Sequence, residues 1–340
     1  VGLVEDYAER ILLGLKYLRL YGEIVKEIIR INREIERINV TNDVALKILS
    51  SPDGWLIHPI YPNRLLKLPE WYKLFYGLDL DRDYTLYAIY LYLDNISITF
   101  RDENGEDVYN NVSTMWIDPY GLVLMSILED GEWRKLLEEA RRYGMDLYDN
   151  ILVYYEAATA LRGIIYEQEP VNDVDVPDVE GVVLDDRLVE AVITEAEKVI
   201  NNSSQFIRGV ANVLDPPDAS WVRFVDIDIR LLMDVKVTLP EWLARGAFFP
   251  CTEATVYWID INNYIIRVWS RCNKDGIPYT NRRTISLTGT MSMADLILVS
   301  YMLTEDAWKK IIGMANHYLQ LVRISHRKLE KAAVILSMFK

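Results

Sequence analysis

The sequence predicts an α+β protein: long heptad-patterned terminal helices flank an antiparallel β-meander and a central helical segment. Three observations carry this expectation. An apolar four-three repeat runs over residues 17–38, the same repeat returns over 308–336, and two-residue alternation with turn signals fills the stretch between 224 and 286.

The N-terminal helix places Tyr17, Tyr21, Ile24, Ile28, Ile31, Ile35 and Ile38 on one interaction seam. Its other faces hold Lys26, Glu27, Arg30, Arg33, Glu34, Glu36 and Arg37, so the apolar stripe must be buried against something. Thr41 to Asp43 offer capping chemistry for a short helix after it. YTLYAIYLYLDNISITF (84–100), then DENGED and VYNNVSTMWID, reads as a hairpin around a polar, Gly-containing turn. EDGEWRKLLEEARRYG starts a helix at an Asp130 cap and ends it at Gly144, and DLYDNILVYYEAATALRGIIYEQ gives the next one.

Residues 167–186 contain eight acids, two prolines and no base, which reads as an exposed acidic loop or linker. It separates 1–166, with the first helix, the hairpin and a helical region, from 187–340, with helices, a β-rich block and the long C-terminal helix. Helices are expected at 186–201 and 203–214, the latter stopped by DPPD. TVYWIDI and YIIRVWSRC flank Asn262-Asn263, a two-residue hairpin signal. NKDG reads as a type I turn closing on Gly276, and IPYTNRRTISLTG supplies the third strand of a meander. The last helix carries Trp308, Ile312, Ala315, Leu319, Val322, His326, Leu329, Ala333 and Leu336 on one stripe. It is a candidate partner for the first helix, and packing within the subunit is favoured over an intermolecular seam.

At 340 residues and 51% hydrophobic, the chain has ample material for a core. A formal charge of −14 repels phosphate backbones and anionic lipid, so nucleic acid is disfavoured as a partner. No window reaches the roughly 18 uninterrupted apolar residues of a membrane span, so no transmembrane segment is expected. The opening VGLVEDYAER carries acids where a signal peptide would carry a basic leader. Three Gln against 22 Tyr suit a hot habitat in which thermolabile amides are avoided.

The stretch FVDIDIRLLMDVKVTL (224–239) holds the strongest catalytic candidates: Asp226, Asp228, Asp234 and Lys236. Acids on a strand followed by Asp-x-Lys have the pattern of metal-dependent nucleases or nucleotidyl-transfer enzymes, with Asp260 available as a further ligand. Parity argues otherwise. The polar residues from Asp226 to Thr238 are even-numbered and the odd positions are apolar, so one long strand is expected. Acids six residues apart would then lie about 20 Å from each other, far beyond the roughly 4 Å of a two-metal site.

Other clusters are weaker still. Asp173, Asp175 and Asp178, and likewise Asp79, Asp81 and Asp83, lack the Gly and distal Glu of a calcium loop. His317 and His326 fall on opposite helix faces; His326 sits in the apolar stripe beside Glu330, and His58 belongs to the Pro-aromatic segment WLIHPIYPNR. The sequence carries no phosphate loop, nucleophile elbow or zinc-protease motif, so no cofactor is expected and an enzyme is not the first reading.

Cys251 and Cys272 would lie at the open foot of the hairpin turning at 262–263, close enough to form a disulfide. Such a bond suits an extracellular setting or a hyperthermophile interior. Asn39, Asn95, Asn111, Asn201 and Asn202 begin glycosylation sequons, five against about 1.5 expected by chance from this composition. Together these features favour a structural or interaction subunit of an extracellular assembly, a virion or cell-surface protein that self-associates or joins other assembly proteins. The alternatives are the metal-dependent enzyme and an intracellular, cytoplasmic adaptor that uses the acidic loop.

Overall fold

The computed structural model describes residues 2–38, 56–167, 169, 179–201, 210–211, 227–245, 249–262, 265–286 and 291–339. Along the chain run α1 (Leu3–Ile38), β1 (Leu56–Ile60), β2 (Arg64–Leu66), α2 (Glu70–Phe75), β3 (Tyr84–Tyr92), β4 (Asn95–Asp102) and β5 (Asp107–Ser113). Then come α3 (Pro119–Met125), α4 (Asp130–Tyr143), α5 (Met145–Ile165), a 3-10 turn (Val179–Gly181), α6 (Asp186–Asn201) and β6 (Val210–Ala211). The remainder is β7 (Asp228–Thr238), α7 (Glu241–Arg245), β8 (Glu253–Asn262), β9 (Ile265–Lys274), β10 (Ile277–Ser286), β11 (Met291–Ser292), α8 (Met293–Met302) and α9 (Glu305–Ser337). The fold is α+β, with long helices at both ends and antiparallel sheets between them.

The chain forms two compact units. One comprises Val1–Ile28, Asp173–Trp221 and Asp226–Leu319; the other comprises Ile29–Asn172, Val222–Val225 and Gln320–Lys340.

In the first unit, β7 to β10 form a four-stranded sheet in the order β10-β9-β8-β7. Ile229, Val237, Val256, Ile259, Ile261, Ile266, Val268 and Ile285 are buried on one of its faces. That alternation follows from the period of two, which sends successive side chains to opposite faces. Tyr17 of α1 stacks on Trp308 of α9 with ring centroids 5.7 Å apart and planes within 1°. The approach of α1 to α8 is close enough to require glycine: a Cβ on Gly14 would lie 2.6 Å from Ser300 Oγ.

In the second unit, β1, β3, β4 and β5 are neighbours in that order, and β2 also pairs with β3. Leu86, Ile89, Leu91, Ile96, Ile98 and Phe100 are buried in it, as are Leu122, Trp133, Leu136, Ile151, Tyr154 and Leu161 from α3 to α5. The buried phenols of this core are satisfied by backbone carbonyls: Tyr72 Oη donates to Leu124 O at 2.8 Å, and Tyr154 Oη donates to Ser113 O at 3.1 Å. Here α1 meets α9 through Glu34, 3.6 Å from His326 Nε2.

Several expectations need correction. The segment 84–100 is not one strand. It breaks at Leu93 and Asp94 into β3 and β4, because an unbroken run of that length far exceeds the usual five or six residues of a strand. The helix cap lies at Glu129 rather than Asp130, where Glu129 and Glu132 form a reciprocal capping box. Within 203–214, the described residues Val210 and Ala211 form a short strand paired with Met291 and Ser292; the rest, like Thr41 to Asp43 and DPPD, lie outside the described residues. Asn262 is the last residue of β8 and pairs with Ile265, and 263–264 lie outside the described residues. The NKDG turn has positive φ at both Asp275 and Gly276, which makes it type I′, the form whose twist matches a hairpin. Part of WLIHPIYPNR is strand β1.

Candidate interaction surface

In the second unit the outward face of the five-stranded sheet is a platform of tyrosines. Along β3 the outward face carries Thr85, Tyr87, Tyr90 and Tyr92 with the buried Ala88 between them, and a bulge between Leu86 and Ala88 re-aims the strand. Tyr61, immediately after β1, packs edge-on against Tyr87 and Tyr90 at centroid distances of 5.9 and 6.1 Å. Such edge-to-face geometry suits the ring quadrupoles. Tyr90 and Tyr92 sit 6.5 Å apart. On β5, Tyr109 is 62% exposed and lies opposite Thr99 of β4.

Between the rings lie small polar side chains. Ser97 is opposite both Tyr90 and Asn111, and both Ser97 and Thr99 are buried although they sit on the outward face. Arg101 lies over Tyr87, its guanidinium carbon 3.3 Å from the ring centroid, and makes a bidentate pair with Asp107 at 2.7 and 3.0 Å. The Arg101 hydrogen bond holds Asp107 below the usual carboxylate range. Burial, a hydrogen bond with Tyr61 and neighbouring phenols push Tyr90 up to about 12, so its phenol stays neutral. The platform is therefore aromatic, hydroxylated and internally charge-balanced. Tyr offers large rigid contact area with only two side-chain torsions to freeze, and Tyr and Arg dominate binding hot spots.

The residues singled out in the sequence behave differently. Asp226 lies outside the described residues. Asp228, Asp234 and Lys236 stand on the exposed face of β7, a single strand, so Asp228 and Asp234 are about 20 Å apart and do not share an ion. Asp228 is paired with Arg230 at 2.9 Å, and Asp260, across the ladder from Arg230, is paired with Arg267 at 3.3 Å. Among the described residues no group of three or more His, Cys, Asp or Glu could hold a metal ion.

Cys251 and Cys272 form a disulfide with Cα atoms 6.4 Å apart. Of the seam residues, Tyr17, Tyr21, Ile24, Ile28, Ile31 and Ile35 are buried and Ile38 is half-buried, and Tyr17 stacks on Trp308 of α9. Of the sequons, Asn39 and Asn202 lie outside the described residues. Asn95 is 5% exposed and donates to Asp94 Oδ1, Asn111 is half-buried on the platform, and Asn201 is exposed at the end of α6. A glycan needs exposure, which Asn95 lacks.

Glu169, counted among the acids of the loop, is turned inward onto Arg327, Lys328 and Lys331 at 2.8, 3.2 and 3.7 Å. Asp173, Asp175 and Asp178 lie outside the described residues. Asp79 caps its own turn through Asp81 N and pairs with Arg82, as a structural acid does. His326 lies between Glu34 and Glu330, and His58 Nδ1 is 3.8 Å from Glu139.

Comparison with protein-family models, curated proteins and solved structures finds no match for this chain. Among the described residues, no helix is long and apolar enough to cross a membrane.

The platform was missed in the sequence because its parts are non-local. Tyr61 reaches β3 only through the pairing of β1, and Tyr109 only through β5. The available signal was the density of tyrosine in YTLYAIYLY.

Proposed function

We propose that this chain is a structural or interaction subunit of an extracellular assembly, a virion or cell-surface component from a hot habitat. The tyrosine platform is the observation that carries the reading: a broad, rigid, charge-balanced face of the kind that binds proteins, with the heptad stripes already consumed in the core. The Cys251–Cys272 disulfide supports an oxidising environment or a hyperthermophile interior. Multi-partner ion pairs, such as Arg82 with Asp102 and Glu106, support a hot one.

Two experiments test it. In hydroxyl-radical footprinting at high and low protein concentration, Tyr61, Tyr90 and Tyr109 are expected to be protected when concentrated; equal labelling at both concentrations overturns self-association through this face. Antibody labelling of source cells and released particles is expected to succeed without permeabilisation. Signal that appears only after permeabilisation overturns the extracellular placement.

A further inference from the structure

The five-stranded sheet of the second unit has an apolar end. Leu56 opens β1 opposite Tyr92, Leu93 sits at the joint of β3 and β4 beside it, and Met115 and Trp116 follow β5 just past its last pair with β4. Thr114 ties these segments together, its N–H donating to Asp94 O and its hydroxyl to Leu93 O, both at 3.0 Å. Leu56, Leu93, Met115 and Trp116 are between 49% and 58% exposed. Single apolar side chains at a surface need no explanation, but a group of four on one rim marks a contact with lipid or protein.

The backbone that carries them asks little of solvent. Beyond the two carbonyls held by Thr114, Thr114 O accepts from Asn150 Nδ2 at 2.9 Å, and the Met115 and Trp116 N–H groups donate to Ser113 Oγ at 3.1 and 2.9 Å. Such internal pairing is what lipid demands, because no water there replaces a lost partner, whereas a protein partner supplies hydrogen bonds of its own. Trp116 adds an amphipathic ring of the kind that settles among headgroups.

Charge then selects the headgroup. Asp94 lies within the rim, and Asp146 stands one helical turn before Asn150, on the face of α5 that meets Thr114. Among the described residues neither acid makes an ion pair. Arg141 is folded onto Tyr148, about 200° around α5 from Asn150. The rim therefore sits in a negative local field, which repels anionic lipid and suits a quaternary ammonium, a cation also drawn to the face of an indole.

We infer that this rim inserts shallowly into the choline-headgroup surface of a phosphatidylcholine bilayer. The inference goes beyond the assembly reading and does not depend on it.

The test is flotation of the full chain with vesicles in a density gradient. The wild type is expected to float with phosphatidylcholine vesicles and to float less with phosphatidylserine vesicles. L93S/M115S/W116S, with folding checked by circular dichroism, is expected to bind about tenfold or more weakly, in line with the apolar area withdrawn. Brominated phosphatidylcholine is expected to quench the tryptophan emission of the wild type more than that of W116F, a variant that keeps the rim apolar. A wild type that stays unbound, a triple variant that floats as the wild type does, equal quenching in the wild type and W116F, or a preference for phosphatidylserine each overturns the inference. Wild-type self-association without vesicles that L93S/M115S/W116S abolishes overturns it in favour of a second copy of this chain.

Discussion

Tyr154 illustrates how single side chains hold the second unit together. Its hydroxyl donates to Ser113 O and accepts from Asp118 N at 3.2 Å, and Asp118 Oδ1 in turn caps α3 by accepting from Gly121 N at 2.6 Å. Tyr154→Phe strands two buried backbone groups and is expected to cost about 1–3 kcal/mol, read as a lower urea midpoint at unchanged slope. Lys328 is a sharper case: it is 1% exposed, donates to Ile164 O and pairs with Glu169. Lys328→Ala leaves Glu169 to Arg327 and Lys331 alone, and a loss of about 3 kcal/mol is expected in the same measurement. Asp102 makes stability depend on acid pH. Burial alone would raise its pKa, but the Glu106 and Asn104 backbone N–H groups and the Arg82 guanidinium overcome this and bring it below its ordinary 3.8. Its contribution to stability is therefore present above pH 3.8 and is lost as pH falls through the depressed folded value. Asp102→Asn is expected to lower the thermal midpoint near neutral pH and to flatten its fall on acidification below pH 3.8; an unchanged slope there would assign the acid dependence to other carboxylates.

Elements were legible where one period ran unbroken. The stripes of α1 and α9 and the parity of β7 follow from spacing alone, and the β7 burial pattern alternates from Asp228 to Thr238 despite a bulge between Leu232 and Val235. Registers and joints were not legible, because they depend on partners distant in sequence. Leu93 and Asp94 turn the chain without a glycine, and the β8–β9 register places Asn262 within a strand. Cys251 and Cys272 nevertheless meet, with Cys251 just ahead of β8 and Cys272 within β9. Their bond closes a loop with a sequence separation of 21. The double substitution Cys251→Ser with Cys272→Ser is expected to cost about 3 kcal/mol by the chain-entropy account, seen as a lower melting temperature that reductant no longer changes.

At the scale of the whole molecule, the charge of −14 and the abundance of tyrosine pointed to contact with proteins rather than nucleic acid. They did not say where. The heptad stripes, the most conspicuous surfaces in the sequence, are spent on the core, whereas the tyrosine platform draws on β1, β3, β4 and β5 and exists only once the sheet has formed. We propose that this chain assembles. Multi-angle light scattering across a concentration series tests it most directly: a mass that climbs above 39.6 kDa with concentration, and that falls back in a variant with Tyr61, Tyr90 and Tyr109 replaced by Ser, is the expected result. A mass that stays at that of one chain at every concentration would contradict it.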